Sequence, residues 1–539
     1  MQTEYRVIGP PGCGKTTFLS REVTQAVSRY GGDNVMVASL TKTAASEVAG
    51  RGVPVNPKRI GTLHAHAYRA LNYPKLAETR EGVEEWNKSS PSYRLTVPGG
   101  SSNLDAAVDG MMPMDSPGDR YLSLVNVARA RMSPISELPA PVRRFHTAWE
   151  RWKKETGLFD FTDLIEIAGT SIHQAPGRPK VIFVDEAQDH DRLELNLVRK
   201  WGAEDRGVER LVIVGDPDQN LYEWRGSDPE AFFDPVLPDD QKLVLSQSYR
   251  VPKAVHAKAT EWIERTPDRE PVEYKPTDQP GEVRKTLLSL RDAPALLRDA
   301  RQYIDAGKSV MFLTTCAYML TPLINELRSQ GMPFHNPYRA RSDWNPLNPQ
   351  TRGISSLEKF KAYISPLLET EPYVYPWDVG EVKLWTQSLA RVLKRGKREV
   401  LDSMDPMQGF TPEMMDDLFT EKSEPYAAYN IEGGDAGWFR KHLKASVNVD
   451  YAIKVLEKFG AESIVETPKI SIGTIHSVKG GEADVVYLFP DMSRIGYQSV
   501  HTPKGKAATL RQFYVGMTRS KDVLVLGGAS TQLAVQLGR

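Results

Sequence analysis

The sequence has little of what would mark a secreted, membrane or metal-thiolate protein. Its 539 residues include two cysteines, Cys13 and Cys316. They cannot build a disulfide framework or a cysteine-ligated zinc or iron–sulfur site, and a reducing interior is expected. No apolar run approaches the roughly 20 residues of a membrane span. The chain enters the apolar run Tyr5 to Ile8 without a leader pattern, so no leader is expected and the reading is cytoplasmic. An excess of either charge is also missing: Lys+Arg is 69 and Asp+Glu is 69, so any track for a polyanion must be local. The remaining composition, 40% hydrophobic and 26% charged, is that of a globular protein. A chain of this length exceeds one core and is expected to divide into roughly three to five units.

Against that background one stretch stands out. Gly9-Pro10-Pro11-Gly12-Cys13-Gly14-Lys15-Thr16-Thr17 follows the apolar run and precedes a helix-like continuation, Phe18 to Ser28. The pattern G-x-x-x-x-G-K-[ST] between a strand and a helix cradles phosphates with inward-turned backbone N–H groups at a positive helix end. Gly9, Pro10, Gly12, Cys13, Gly14, Lys15, Thr16 and Thr17 are therefore the expected nucleotide-binding residues. Lys15 is placed to meet the β and γ phosphates, and the Thr16 hydroxyl to hold Mg²⁺.

A second element fits the first. Val181-Ile182-Phe183-Val184-Asp185-Glu186 is an apolar run ending in two carboxylates, as a buried parallel strand delivers acids at its tip. Beside a phosphate loop it reads as Asp185 holding Mg²⁺ and Glu186 taking a proton from the attacking water. Further strand-like runs at Asn34 to Leu40, Arg210 to Val214 and Val310 to Thr314 alternate with helical segments, the signature of an α/β fold. His64 and His66 read equally as loop or capping residues and as nucleic-acid contacts. The Gly-, Pro- and Met-rich stretch from about 77 to 138 reads as an inserted subdomain too irregular for a core, and Trp149 and Trp152 as core aromatics. The cluster Lys394-Arg395-Gly396-Lys397-Arg398 reads first as a solvated helix face and second as a duplex contact.

The order of Val-Asp-Glu-Ala-Gln-Asp, Gly-Asp-x-x-Gln (215–219) and Ser-Tyr-Arg (248–250) after the phosphate loop resembles the superfamily 1 DNA helicases of the UvrD/PcrA/Rep type. Ile470 to Gly480 with Glu482, and Gln512 to Lys521, resemble that family's fifth and sixth motifs. The resemblance implies two RecA-like α/β cores with parallel sheets, each carrying an inserted, mainly helical subdomain. The expected division is 1–76 with 141–246 as the first core, 77–140 as its insertion, 247–334 with 461–539 as the second core, and 335–460 as its insertion.

The resemblance also implies roles. Arg250 and Arg519 would reach the γ phosphate, Gln219 would sense it, Tyr249 would stack on the nucleotide base, and Glu482 would lie near the ribose. Trp224 would stack on single-stranded DNA with Tyr222 and Arg225 beside it, against the competing reading of Trp224 as a core residue. Thr62, His64, Thr474 and His476 would lie near the DNA backbone. Leu63 stands where the family has an aromatic, Thr41-Lys42-Thr43 departs from the family order, and no adenine-reading glutamine motif is expected ahead of Gly9. The implied activity is ATP-dependent, Mg²⁺-requiring translocation and unwinding, with 3′-to-5′ polarity, on single strands and single-strand/duplex junctions. Its expected settings are replication, repair or recombination, with protein partners from those processes. The expected state is a monomer or weak oligomer in the cytoplasm, nucleoid-associated, or in a host cytoplasm if viral. Two rival readings are a translocase that strips bound proteins without unwinding and a nucleotide-switched accessory subunit.

Overall fold

The computed structural model describes residues 4–40, 52–97, 116–267, 269–339, 343–349, 353–368, 375–421 and 436–538. The Thr41-Lys42-Thr43 departure lies outside them. The chain divides into two compact units, residues 1–283 with 495–522 and residues 284–494 with 523–539. Among the described residues no helix is long and apolar enough to cross a membrane.

The first unit is built on six strands: β1 (Glu4–Ile8), β2 (Val35–Ser39), β3 (Ile60–Thr62), β4 (Val181–Val184), β5 (Arg210–Gly215) and β6 (Lys242–Val244). They lie in the order β3-β2-β4-β5-β1-β6, and every neighbouring pair is parallel. The cause is visible in the sequence. β2 and β4 are apolar runs buried along their whole length, which only a sheet covered on both faces can accommodate. Parallel register brings the carboxyl ends of β1, β4 and β5 to one edge, with Ile8 opposite Gly215 and Val184 opposite Ile213. Ligand sites of open α/β sheets sit at that edge.

Residues 247–283 and 495–522, expected with the second core, group with this first unit. The Tyr249 N–H donates to the Gly12 carbonyl at 2.9 Å. Trp262 Nε1, in the helix Lys253–Ile263, donates to the Leu510 carbonyl at 2.9 Å.

The stretch expected to be too irregular for a core has one. Trp86, on the helix Arg80–Ser89, meets Trp149 edge-on at 4.9 Å and Trp152 at 5.3 Å, both on the helix Ala140–Thr156. Val83, Leu122, Val125 and Phe145 complete the cluster. Beside it lies a buried charge network. Arg129 donates to Asp160 at 2.9 Å, Asp163 at 2.7 Å and Glu166 at 2.6 Å. Lys153 donates to Asp160 and Asp163 at 2.6 Å each, and Trp149 Nε1 to Asp160 at 3.0 Å. Burial alone would push the Asp160 carboxyl up, but Arg129 and Lys153 bring it down to about 2. Glu150, Asp160 and Asp163 are close enough to share a cation, and the Lys153 ammonium already contacts all three. The network ties the helices Pro117–Ala130, Ala140–Thr156 and Phe161–Ser171 together.

The second sheet runs β7 (Glu282–Lys285), β12 (Ser520–Leu526), β11 (Ala483–Leu488), β8 (Val310–Thr314), β10 (Ile470–Thr474), β9 (Phe334–His335). The division between the units falls within β7 and β12. β8 is parallel to β10 and β11, and Thr314 pairs with Thr474 at the carboxyl edge. The second unit's inserted helices pack around Tyr363, Trp377, Trp385, Trp438 and Phe439. The basic cluster lies among acids, with Lys397 on Asp417 at 2.7 Å and Arg398 on Asp402 at 3.1 Å. It takes the solvated-face reading.

His66, on the helix Leu63–Ala70, is buried. The Arg69 guanidinium donates to its Nδ1 at 2.9 Å, so Nε2 carries the proton and donates to the Val37 carbonyl at 3.2 Å. Burial, aided by Arg69, pushes this imidazole down to about 3. It is a structural residue that ties the helix to β2.

Two outcomes follow. Arg129→Ala leaves the buried Asp160 and Asp163 to Lys153 and takes the guanidinium from Glu166, and should cost about 3–5 kcal/mol, the scale for breaking a buried pair. Denaturant titration read by tryptophan fluorescence checks this, and a loss below about 1 kcal/mol would refute the network's role. His66 is neutral in the fold and titrates near 6.5 when unfolded. Its contribution is therefore complete above that pH and lost as pH falls toward 3, with a slope of at most about 1.4 kcal/mol per pH unit. His66→Gln should flatten stability against pH in that window, and an unchanged slope would contradict the assignment.

Candidate nucleotide-binding site

The phosphate loop turns where glycine permits it. Gly12 and Gly14 both sit at φ +75°, a left-handed conformation that costs glycine little. A Cβ on Gly12 would also stand 2.6 Å from the Arg250 Cβ and 2.7 Å from the Ser248 Oγ. The helix Lys15–Tyr30 begins directly after Gly14 and buries Leu19, Val23 and Ala26 on one face, so its amino end is fixed at the sheet edge. Lys15 Nζ donates to the Gly9 carbonyl at 2.5 Å. Thr16 and Thr17 open the helix. Cys13 is buried, and burial pushes its thiol up to about 12, so it is an inert wall of the loop.

The Ser248-Tyr249-Arg250 segment lies against this loop. Ser248 Oγ and the Tyr274 hydroxyl each donate to the Pro11 carbonyl at 3.0 Å. Tyr249 is 78% exposed, and its ring lies 3.9 Å from where a Gly14 Cβ would stand. It is anchored by its backbone and open on its ring face, as a base-stacking platform must be. Ser248, absent from the sequence-derived site, supplies the anchor. Its signal was its place in Ser-Tyr-Arg.

β4 delivers Asp185, buried at its tip, whose Oδ1 accepts the Glu186 N–H at 2.9 Å. With the Thr16 hydroxyl this hard-oxygen donor set fits Mg²⁺. Glu186 itself is left-handed at φ +50°, a sparsely populated conformation for a residue with a side chain and one typical of functional positions. Its Oε2 accepts from Gln188 Nε2 at 2.5 Å. Gln188 Oε1 accepts the Asp216 N–H at 2.8 Å. Asp216 Oδ2 accepts from Gln219 Nε2 at 2.7 Å, and Gln219 Oε1 accepts from Arg519 Nη2 at 3.0 Å. Burial pushes the Asp216 carboxyl up, and the positive charge of Lys15 opposes it. Arg519 is almost fully buried, and its Nε donates to the Val515 carbonyl at 2.9 Å. Lys15, Asp185, Glu186, Gln219, Tyr249, Arg250 and Arg519 thus belong to one unit. Gln188 and Asp216 were legible only as letters within their motifs.

The chain leaves Gln219 through Asn220, whose Oδ1 accepts the Tyr222 N–H at 3.0 Å and the Ser227 hydroxyl at 2.9 Å. It then turns through Glu223–Arg225. Trp224 is 41% exposed, while Tyr222 is buried beneath it with ring centroids 6.5 Å apart. Glu223 is held by Arg511 at 2.6 Å. Arg225 lies 3.8 Å from Glu194, a buried carboxylate also met by His64 at 3.2 Å and His190 at 3.0 Å. Burial would push the Glu194 carboxyl up, but the two histidines hold it well below its usual range. Thr62 caps the helix Leu63–Ala70 by accepting the Ala65 N–H at 3.1 Å. Leu63 is in the core.

In the second unit Thr474 ends β10 and its hydroxyl accepts the Ser477 N–H at 3.1 Å. His476 is half-buried in the turn that follows, and Glu482 is exposed just before β11.

Lys15→Ala removes the cation of the loop and should abolish nucleotide turnover while leaving the fold intact. Steady-state hydrolysis beside a circular dichroism spectrum tests it, and wild-type turnover would remove the assignment.

Comparison with known proteins agrees with this geometry. The AAA domain family matches residues 2–225, and the UvrD-like helicase C-terminal domain family matches residues 446–531. The chain is 24% identical over 272 residues to the putative ATP-dependent DNA helicase YjcD of Bacillus subtilis, a stretch covering 45% of this chain and 34% of that protein. It is 28% identical over 289 residues to the ATP-dependent DNA helicase PcrA of Staphylococcus aureus, covering 49% and 38%. With PcrA of Staphylococcus epidermidis it is 22% identical over 295 residues, again covering 49% and 38%. The chain thus matches little more than a third of the length of these relatives. The two family matches fall on the stretches that carry the phosphate loop and the carboxylate pair at one end and the fifth and sixth motifs at the other, and the chain is similar at both to superfamily 1 helicases of the UvrD/PcrA type.

Proposed function

We propose that the protein is an ATP-dependent motor that moves 3′-to-5′ on single-stranded DNA and unwinds duplex ahead of it. One observation carries the reading: an exposed tryptophan, Trp224, stands on the turn leaving Gln219, whose side chain is bonded to Arg519 and Asp216 in the nucleotide site. A switch or a small-molecule kinase has no use for that coupling. A motor on bases does, because any base offers a π-face to an aromatic ring.

In this reading Lys15, Arg250 and Arg519 bear on the phosphates, and Glu186 takes the proton of the attacking water. Thr16 and Asp185 hold Mg²⁺, which supplies charge neutralisation at the phosphates. Tyr249 stacks on the nucleotide base, and Glu482 lies by the ribose. Trp224 stacks on a DNA base, buttressed by Tyr222, with Thr62, His64 and Arg225 beside it, and in the second unit Thr474 and His476 take the backbone-contact roles that the resemblance implies. The names of the relatives, ATP-dependent DNA helicases in each case, favour DNA over RNA as the track. Cytoplasmic or nucleoid location, a monomeric or weakly associating state, and replication, repair or recombination partners belong to the same proposal.

The test is ATP hydrolysis by wild type, Glu186→Gln and Trp224→Ala, with and without a single-stranded oligonucleotide, followed by unwinding of 3′- and 5′-tailed duplexes. DNA should stimulate the wild type, and Glu186→Gln should bind but barely turn over. Trp224→Ala should keep basal hydrolysis and lose about 1–3 kcal/mol of single-strand affinity. Hydrolysis indifferent to DNA, or unaltered affinity in Trp224→Ala, would overturn the reading. Unwinding of the 5′-tailed duplex alone would reverse the polarity.

A further inference from the structure

We infer that Gln188 is a positioning residue for hydrolysis: its side-chain amide clamps the Glu186 carboxylate to the tip of β5 and so joins the base to the Asp216–Gln219–Arg519 chain. The inference rests on the reading of Glu186 as the base.

The geometry of the amide carries it. Gln188 is completely buried. Its Nε2 donates to Glu186 Oε2 at 2.5 Å, and its Oε1 accepts the Asp216 backbone N–H at 2.8 Å. This orientation is the only one the chemistry allows. Reversed, the amide would set its carbonyl against a carboxylate and its NH₂ against an N–H. The neighbouring backbone is cut to fit, since a Cβ on Gly215 would stand 2.5 Å from Gln188 Oε1. The main chain is held too: the Gln188 carbonyl accepts from Asn220 Nδ2, the residue that begins the turn toward Trp224. Glutamine at this place therefore spans the ends of two parallel strands, β4 and β5.

The consequence is specific. The Glu186 backbone is left-handed, so its own conformation leaves the carboxylate's direction to be fixed from outside. A donor on Oε2 fixes it. The same amide is bonded to the residue whose carboxylate holds Gln219. A shift of Gln219 on phosphate contact thus reaches the base through three hydrogen bonds, and a shift of Arg519 through four.

The closing experiment is a double-mutant cycle in the full-length protein, with ATP turnover measured at saturating single-stranded DNA in wild type, Gln188→Met, Glu186→Gln and the double variant. Methionine keeps the length and removes both polar contacts. Gln188→Met should lower kcat by about 10- to 100-fold, the scale of misplacing a catalytic group, with KM for ATP within about threefold. The same substitution added to Glu186→Gln should change the residual rate by less than about twofold, because residues acting as a unit are not additive. An unchanged kcat, a loss expressed in KM, or an equal loss in both backgrounds overturns the inference. Wild-type turnover in Glu186→Gln overturns the base assignment instead, which separates the two failures. If Gln188→Met does not fold by circular dichroism, Gln188→Glu takes its place under the same criteria. It is matched in shape but sets a carboxylate against Glu186.

Discussion

The pairing of β4 with β5 is the constraint on which the nucleotide site depends. Two parallel strands in register, Val184 beside Ile213, must end at the same level. The acids that follow them are then neighbours although far apart in sequence. Much of the first unit's candidate site is hung from that edge: the phosphate loop after β1, Asp185 and Glu186 after β4, Asp216 and Gln219 after β5. The apolar runs are therefore not separate from the chemistry. They set the spacing of the carboxylates as a ruler does, and their burial on both faces keeps the ruler stiff.

Buried charge is handled differently in two places. In the inserted helices the buried cations Arg129 and Lys153 are paired with four carboxylates, Glu150, Asp160, Asp163 and Glu166, which gives three helices a fixed mutual arrangement. At the strand edge burial pushes the carboxyls of Asp216 and Asp218 up, Asp218 to about 6; Glu186 adds to the first and Asp216 to the second, with Lys15 opposing at Asp216 and Arg269 at Asp218. Lys15, Arg269 and Arg519 stand among these acids, and such a concentration of perturbed charged groups marks a candidate functional site.

The sequence was most legible where one residue type has one physical use. Glycines with positive φ, a lysine after them, and acids at the end of an apolar run could be read without coordinates, and the strands Val181–Val184 and Val310–Thr314 fall where their hydrophobic runs place them. Legibility failed where the partner is remote. Gln188 acquires its meaning from Asp216, twenty-eight residues on. His66, ambiguous in the sequence, is fixed by the Val37 carbonyl. The aromatic cluster around Trp86 was hidden because its members lie on helices separated by an irregular stretch, so no local periodicity announces a core. Segment 247–283 was assigned by motif order, whereas the Tyr249 N–H bonded to the Gly12 carbonyl ties its start to the phosphate loop.

Glu194 has a consequence for the proposed DNA track. A carboxylate with almost no exposure faces the Arg225 guanidinium at 3.8 Å, so the positive charge beside Trp224 is already answered from within the protein. Few counterions need leave a strand to bind there, and the salt dependence of binding at this point should be shallow. The overall neutrality of the chain, 69 cations against 69 anions, is repeated here on the scale of one side-chain cluster. A grip built this way relies on ring faces more than on charge, and a strand held by ring faces can slip by one base without changing what it touches.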